Sequence, residues 1–126
     1  MLNLGDNDLE ELPAWIGRLQ NLDSLDLRNN QCSSLPAELF TLKKLRYLQL
    51  WGNKLTELSD AVSGLASLRD LFLERNRLST LPLTLTKMKS LKYVDYGYNS
   101  ICAPSAELEA WLQAKDRQWH QWQNCR

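Results

Sequence analysis

Apolar residues recur along this chain in a frame of 23 positions, each closed by an asparagine at 7, 30, 53, 76 or 99. The frame reads Leu22-x-x-Leu25-x-Leu27-x-x-Asn30-x-Cys32, Leu45-x-x-Leu48-x-Leu50-x-x-Asn53-x-Leu55, Leu68-x-x-Leu71-x-Leu73-x-x-Asn76-x-Leu78 and Leu91-x-x-Val94-x-Tyr96-x-x-Asn99-x-Ile101. A shorter copy, Leu2-x-Leu4-x-x-Asn7-x-Leu9, precedes them. Alternation of the type Leu25-x-Leu27 has the period of a strand, so Leu25 and Leu27 point one way while Asp26 points the other. So short a strand cannot close its own hydrogen bonds and needs the next repeat as a parallel neighbour about 4.8 Å away. The asparagine marks the inward turn, where its amide can satisfy main-chain groups that a buried bend leaves unpaired.

A second apolar signal follows each frame: Leu12-Pro13-x-x-Ile16-x-x-Leu19, Leu35-Pro36-x-x-Leu39-x-x-Leu42, Leu58-Ser59-x-x-Val62-x-x-Leu65 and Leu81-Pro82-x-x-Leu85-x-x-Met88. Steps of three and four suit a short helical or 3-10 turn with one buried stripe, and a proline is tolerated where it opens that turn. Roughly six apolar side chains per repeat at about 1.5–3 kcal/mol each do not offset a backbone entropy cost of about 1–2 kcal/mol per residue. Stability must therefore come from stacking repeats on one another.

These two segments together resemble the leucine-rich repeat family, whose pattern L-x-x-L-x-L-x-x-N-x-L is matched nearly letter for letter. The resemblance implies an α/β, right-handed solenoid with parallel strands on the concave face and short helical or 3-10 turns on the convex one. It covers residues 1–103, five repeats with the first one truncated, and leaves 104–126 as a C-terminal capping helix and tail. The Leu-Pro-x-x-Leu, 23-residue form is similar to bacterial intracellular repeat proteins and to eukaryotic signalling scaffolds. With no residue for the first leucine of its frame, the chain reads as a fragment of a longer protein, or as a small one whose bare first strand can self-associate.

Past Ile101 the repeat fails. Ser105 can cap a helix over 106–123, with Glu107 and Glu109 in its first turn, and Leu108, Trp111, Leu112, Lys115, Trp119 and Trp122 follow one face. Tryptophan cover for an open solenoid end is the expected role, ahead of a docking surface. One unbroken helix of about 27 Å would hold Cys102 and Cys125 apart, and Cys32 lies about 14 Å along the stack from Cys102. All three cysteines are then thiols in a cytosolic protein; a broken helix would instead let Cys102 meet Cys125 in a secreted or periplasmic one.

Fifteen basic and fifteen acidic residues balance, which argues against nucleic acid or an anionic membrane as partner. No apolar run is long enough to span a bilayer. The one histidine, His120, follows Asp116 by four residues and precedes Cys125, but Cys125 lies at the frayed end of the helix and no oxyanion donor is suggested, so catalysis is not expected. One histidine and three dispersed cysteines do not make a metal site, and no glycine-rich phosphate loop or other cofactor motif occurs.

The family resemblance implies that partners bind the variable strand positions of the concave face. Aromatics there fall in the third to fifth repeats: Tyr47, Trp51, Phe72, Tyr93 and Tyr98. Trp51, Phe72 and Tyr93 are expected to form a diagonal across neighbouring strands, with Asp26, Asp70, Glu74 and Asp95 around it and Arg28 and Arg75 as opposing charges. Rigid apolar anchors in a polar surround have the composition of a binding hot spot for another protein, here a segment with an apolar or aromatic anchor flanked by basic residues. The alternatives are aromatic pairs that only stabilise the sheet, a recognition domain of a larger signalling or effector enzyme, and a carbohydrate-binding module.

Overall fold

The computed structural model describes residues 1–125. Five parallel strands form a single sheet in chain order: β1 (Leu2–Asn3), β2 (Ser24–Asp26), β3 (Tyr47–Gln49), β4 (Asp70–Phe72) and β5 (Tyr93–Asp95). The register follows the 23-residue frame, Leu2 beside Leu25, then Leu48, Leu71 and Val94. Opposite each of the first four strands lies a 3-10 turn, Ala14–Arg18, Ala37–Thr41, Asp60–Gly64 and Leu83–Lys87. Pro13, Pro36 and Pro82 open three of these turns with φ near −65 to −70°. Ser59 holds the same place in the third repeat, where its Oγ accepts a hydrogen bond from Ala61 N at 3.0 Å. Between the two layers the frame leucines Leu25, Leu27, Leu48, Leu50, Leu71 and Leu73 are fully buried.

The asparagines build a ladder from one repeat to the next. Asn76 Nδ2 donates to Leu73 O at 3.0 Å and to Leu50 O at 2.9 Å, while its Oδ1 accepts from Leu55 N at 3.0 Å. Asn30, Asn53 and Asn99 repeat this pattern on their own neighbours. Each amide thus satisfies groups in two repeats at once, which explains why a polar residue is kept inside an apolar column. Cys32 takes the leucine place of its repeat and is buried, its thiol pushed up by desolvation.

The C-terminal cap departs from the expected single helix. An α-helix, α1 (Ala106–Lys115), starts where Ser105 Oγ accepts from Leu108 N and stops at Asp116, whose backbone is extended at φ −154°, ψ 116°. There the Asp116 carboxylate accepts from Gln118 N at 2.9 Å, offering the chain a turn in place of another helical bond. A 3-10 turn, Trp119–Trp122, then carries the tail back over the fifth repeat. Leu108, Leu112 and Trp119 close the core, and the Tyr96 hydroxyl donates to Leu112 O at 3.5 Å.

This break also corrects the expectation of three thiols, because the returning tail joins Cys125 to Cys102 in a disulfide with Cα atoms 5.6 Å apart. Buried Gln123 completes the asparagine ladder: its Oε1 accepts from Ile101 N at 3.2 Å and its Nε2 donates to Tyr96 O at 3.0 Å. Among the described residues, no helix is long and apolar enough to cross a membrane.

Candidate functional site

The sheet presents two outward columns that do structural work in most repeats. In the first, the residue between the two inward positions turns its side chain back onto the main chain. Asn3 accepts from Gly5 N at 2.9 Å, Asp26 from Arg28 N at 3.0 Å, Gln49 from Trp51 N at 2.9 Å and Asp95 from Gly97 N at 3.1 Å. The fourth repeat places Phe72 in that column, a side chain with no acceptor to give. In the second column the residue before each ladder asparagine has positive φ: Asp6 at 57°, Asn29 at 51°, Gly52 at 71°, Arg75 at 57° and Tyr98 at 53°. Asp, Asn and Gly tolerate the left-handed region; arginine and tyrosine enter it at a cost of roughly 1 kcal/mol or more. The fourth and fifth repeats therefore give up local backbone preference for the side chains they display.

Those side chains group into two clusters. Phe72 lies between the flanking tyrosines, its ring centroid 5.2 Å from Tyr47 and 5.3 Å from Tyr93, because strand register sets Tyr47, Asp70 and Tyr93 side by side. The expected diagonal of Trp51, Phe72 and Tyr93 is therefore replaced by a triangle in which Phe72 bridges Tyr47 and Tyr93, two tyrosines at the same strand position. Trp51 belongs to a second group instead: the Arg75 guanidinium lies 5.9 Å from its ring centroid and 4.6 Å from that of Tyr98, which in turn is 6.3 Å from Trp122. Tyr93 and Tyr98 are exposed, whereas Trp51, Phe72 and Tyr47 are half-buried.

The charged residues divide as well. Asp26 is 4% exposed, and its carboxylate is occupied by Arg28 N and by Arg28 Nε at 3.5 Å, so it reaches the surface only through Arg28. Asp70 is half-buried on β4 beside the tyrosines. Glu74 faces the Asp95 carboxyl, the Trp51 indole and Arg75, whose Nε is 3.9 Å from Glu74 Oε1. Burial first, then the Asp95 hydrogen bond and charge, push the Glu74 carboxyl up from its ordinary 4.5; Trp51 and Arg75 pull the other way. Tyr93 is also pushed up, by burial and then by Asp95 and Glu74. Between β5 and the cap, Glu74, Tyr93, Asp95, Tyr98, Asp116 and Trp122 line an open cavity of about 460 Å³. His120, considered above for catalysis, is exposed and stands edge-on to Trp119 with centroids 5.9 Å apart.

Residues 20–78 match the family model described as Leucine rich repeat. Among solved structures, a leucine-rich repeat protein of Leptospira interrogans superposes with TM-score 0.77 at 32% identity, covering 84% of this chain and 27% of its own. The chain carries leucine-rich repeats. The Drosophila Toll–Spatzle complex gives TM-score 0.75 at 37% identity over 87% of this chain and 15% of that one. A plant peptide hormone receptor, RGFR1 in complex with RGF2, shares the fold with TM-score 0.63 at 24% identity over 99% of this chain and 25% of that one. This leucine-rich repeat chain therefore spans about a quarter or less of the length of these structures. No curated protein matches it in sequence.

Sequence reasoning did not identify Asp116 and Trp122 as neighbours of the leucine-rich repeat surface, since only the broken cap brings them there. It also read Asp26 and Asp95 simply as surface charges. The aligned residues Asn3, Asp26, Gln49 and Asp95 are all acceptors, and Asp6, Asn29 and Gly52 all suit positive φ, so both columns could have been found by comparing repeats.

Proposed function

We propose that this chain is a non-catalytic protein-recognition module that binds a partner segment across its concave face, through Tyr47, Trp51, Phe72, Tyr93 and Tyr98 with Asp70, Glu74, Asp95, Arg28 and Arg75 around them. The supporting observation is the coincidence of three departures: Phe72 replaces a turn-stabilising acceptor, while Arg75 and Tyr98 occupy left-handed backbone positions. Local rules broken together at one surface favour selection for binding over sheet stability. The leucine-rich repeats support a protein partner, and Toll, 37% identical over the matched region, is in complex with Spatzle.

The Cys102–Cys125 bridge favours an oxidising compartment over the cytosolic assignment, which rested on free thiols. Capture from source and host extracts, using this chain and its Trp51→Ala, Phe72→Ala double variant, tests the function. A protein retained by the first and lost by the folded second supports the concave site. The same proteins recovered by both would contradict it.

A further inference from the structure

The cavity between β5 and the cap differs from the rest of the concave face in being walled on one side by the tail. Its aromatic walls are Tyr93, Tyr98 and Trp122, and its carboxylates are Glu74, Asp95 and Asp116. We propose that this cavity is a subsite for one arginine side chain of the partner, its guanidinium seated on the Glu74–Asp95 pair and against the aromatic wall. The proposal deepens, and rests on, the concave-face reading above.

Charge complementarity is the first argument. Among the described residues, three carboxylates line the cavity with one cation, Lys115, and the Lys115 ammonium is drawn away over the Trp111 ring at 5.4 Å from its centroid. Glu74 and Asp95 press on each other, with Arg75 opposing only in part, so a second cation would relieve a like-charge contact already present. A planar guanidinium can donate to two neighbouring carboxyl groups at once, which a lysine ammonium does with less geometric match.

The surface already accepts such a group. The protein's own Arg75 guanidinium stacks on Tyr98 at 4.6 Å, at the edge of the cavity. Gly97 keeps the floor open: a Cβ there would lie 3.5 Å from Asp95 Oδ1, 3.7 Å from Trp122 Cβ and 3.8 Å from Glu74 Cγ. These are ordinary contacts, and Gly97 is not among the positive-φ residues, so a side chain could stand there and fill the space.

The test is a titration of the whole chain with Nα-acetyl-arginine methylamide, followed by NMR at the Trp122 indole N–H and the Gly97 amide. Nα-acetyl-citrulline methylamide, its uncharged isostere, and the corresponding capped lysine serve as comparisons. Saturable shifts at both probes are expected with arginine, at least about tenfold weaker with citrulline and weaker with lysine. They should vanish in Gly97→Leu and in the double variant Glu74→Gln, Asp95→Asn, whose new amide oxygen on β5 would still accept from Gly97 N; circular dichroism checks that both variants fold. Equal response to citrulline or lysine, unchanged binding by the folded carboxylate variant, or no shift at all overturns the arginine subsite. The concave-face reading would stand through any of these if the Trp51→Ala, Phe72→Ala variant still loses its protein partner.

Discussion

At the residue scale, the ladder asparagines carry more than their size suggests. Asn53 is held by Leu27 O at 2.9 Å, Leu50 O at 3.2 Å and Cys32 N at 3.1 Å. Asn53→Ala would leave these buried main-chain groups unpaired and should cost about 2–4 kcal/mol in urea unfolding. Gly52→Ala places a Cβ at φ 71°, 2.6 Å from Asn29 Oδ1, and should lower stability by about 1 kcal/mol. Tyr96 supplies a pH signature. Burial first, then Asp116 and Asp95, push its phenol from 10.0 to about 12, so the folded state keeps a proton that the unfolded state has lost. Its stabilising contribution is complete below pH 10 and disappears as pH rises toward 12. Melting temperature should fall across that window in the parent and fall less in Tyr96→Phe. The asparagines were legible because they repeat at fixed spacing. The double duties of Asp26 and Asp95 were harder to see, since an acidic side chain on a strand looks the same whether it faces a partner or its own backbone.

At the scale of elements, strands and 3-10 turns follow from period and proline placement, and the structure has them where the 23-residue frame puts them. The cap resisted the same reasoning. Residues 106–123 have helical spacing throughout, yet Asp116 stops the helix with a local side-chain bond and the tail gains a disulfide and a ladder partner in Gln123. Those contacts span more than twenty residues, and no local pattern reports them. The bridge closes a loop at a sequence separation of 23, for which chain entropy gives about 3 kcal/mol. Cys102→Ser with Cys125→Ser, or reduction by dithiothreitol, should lower the free energy of unfolding by that order, and hydrogen exchange should quicken first at Ile101 and Tyr98. Unchanged stability on reduction would show that the bridge adds nothing to the cap.

At the scale of the whole molecule, each repeat touches chiefly its neighbours, so stability is a sum of repeats and interfaces and the concave face is an array of nearly independent positions. Such a scaffold can tolerate unfavourable choices in two repeats when the others hold the stack, as the run of buried leucines from Leu25 to Leu73 does. The fold was legible for this reason, and the location of the aromatic surface with it; its division into two clusters and its closure by Trp122 depended on rotamers and on the cap. The central claim is that Trp51 and Phe72 serve a partner more than the sheet. The direct measurement is a paired one on the Trp51→Ala, Phe72→Ala variant: unfolding free energy in urea and affinity for the captured partner by calorimetry. The account predicts a stability loss of about 1–2 kcal/mol beside an affinity loss of at least about 2 kcal/mol, near thirtyfold. A stability loss well above that range with affinity intact would contradict it, and would return these aromatics to the sheet.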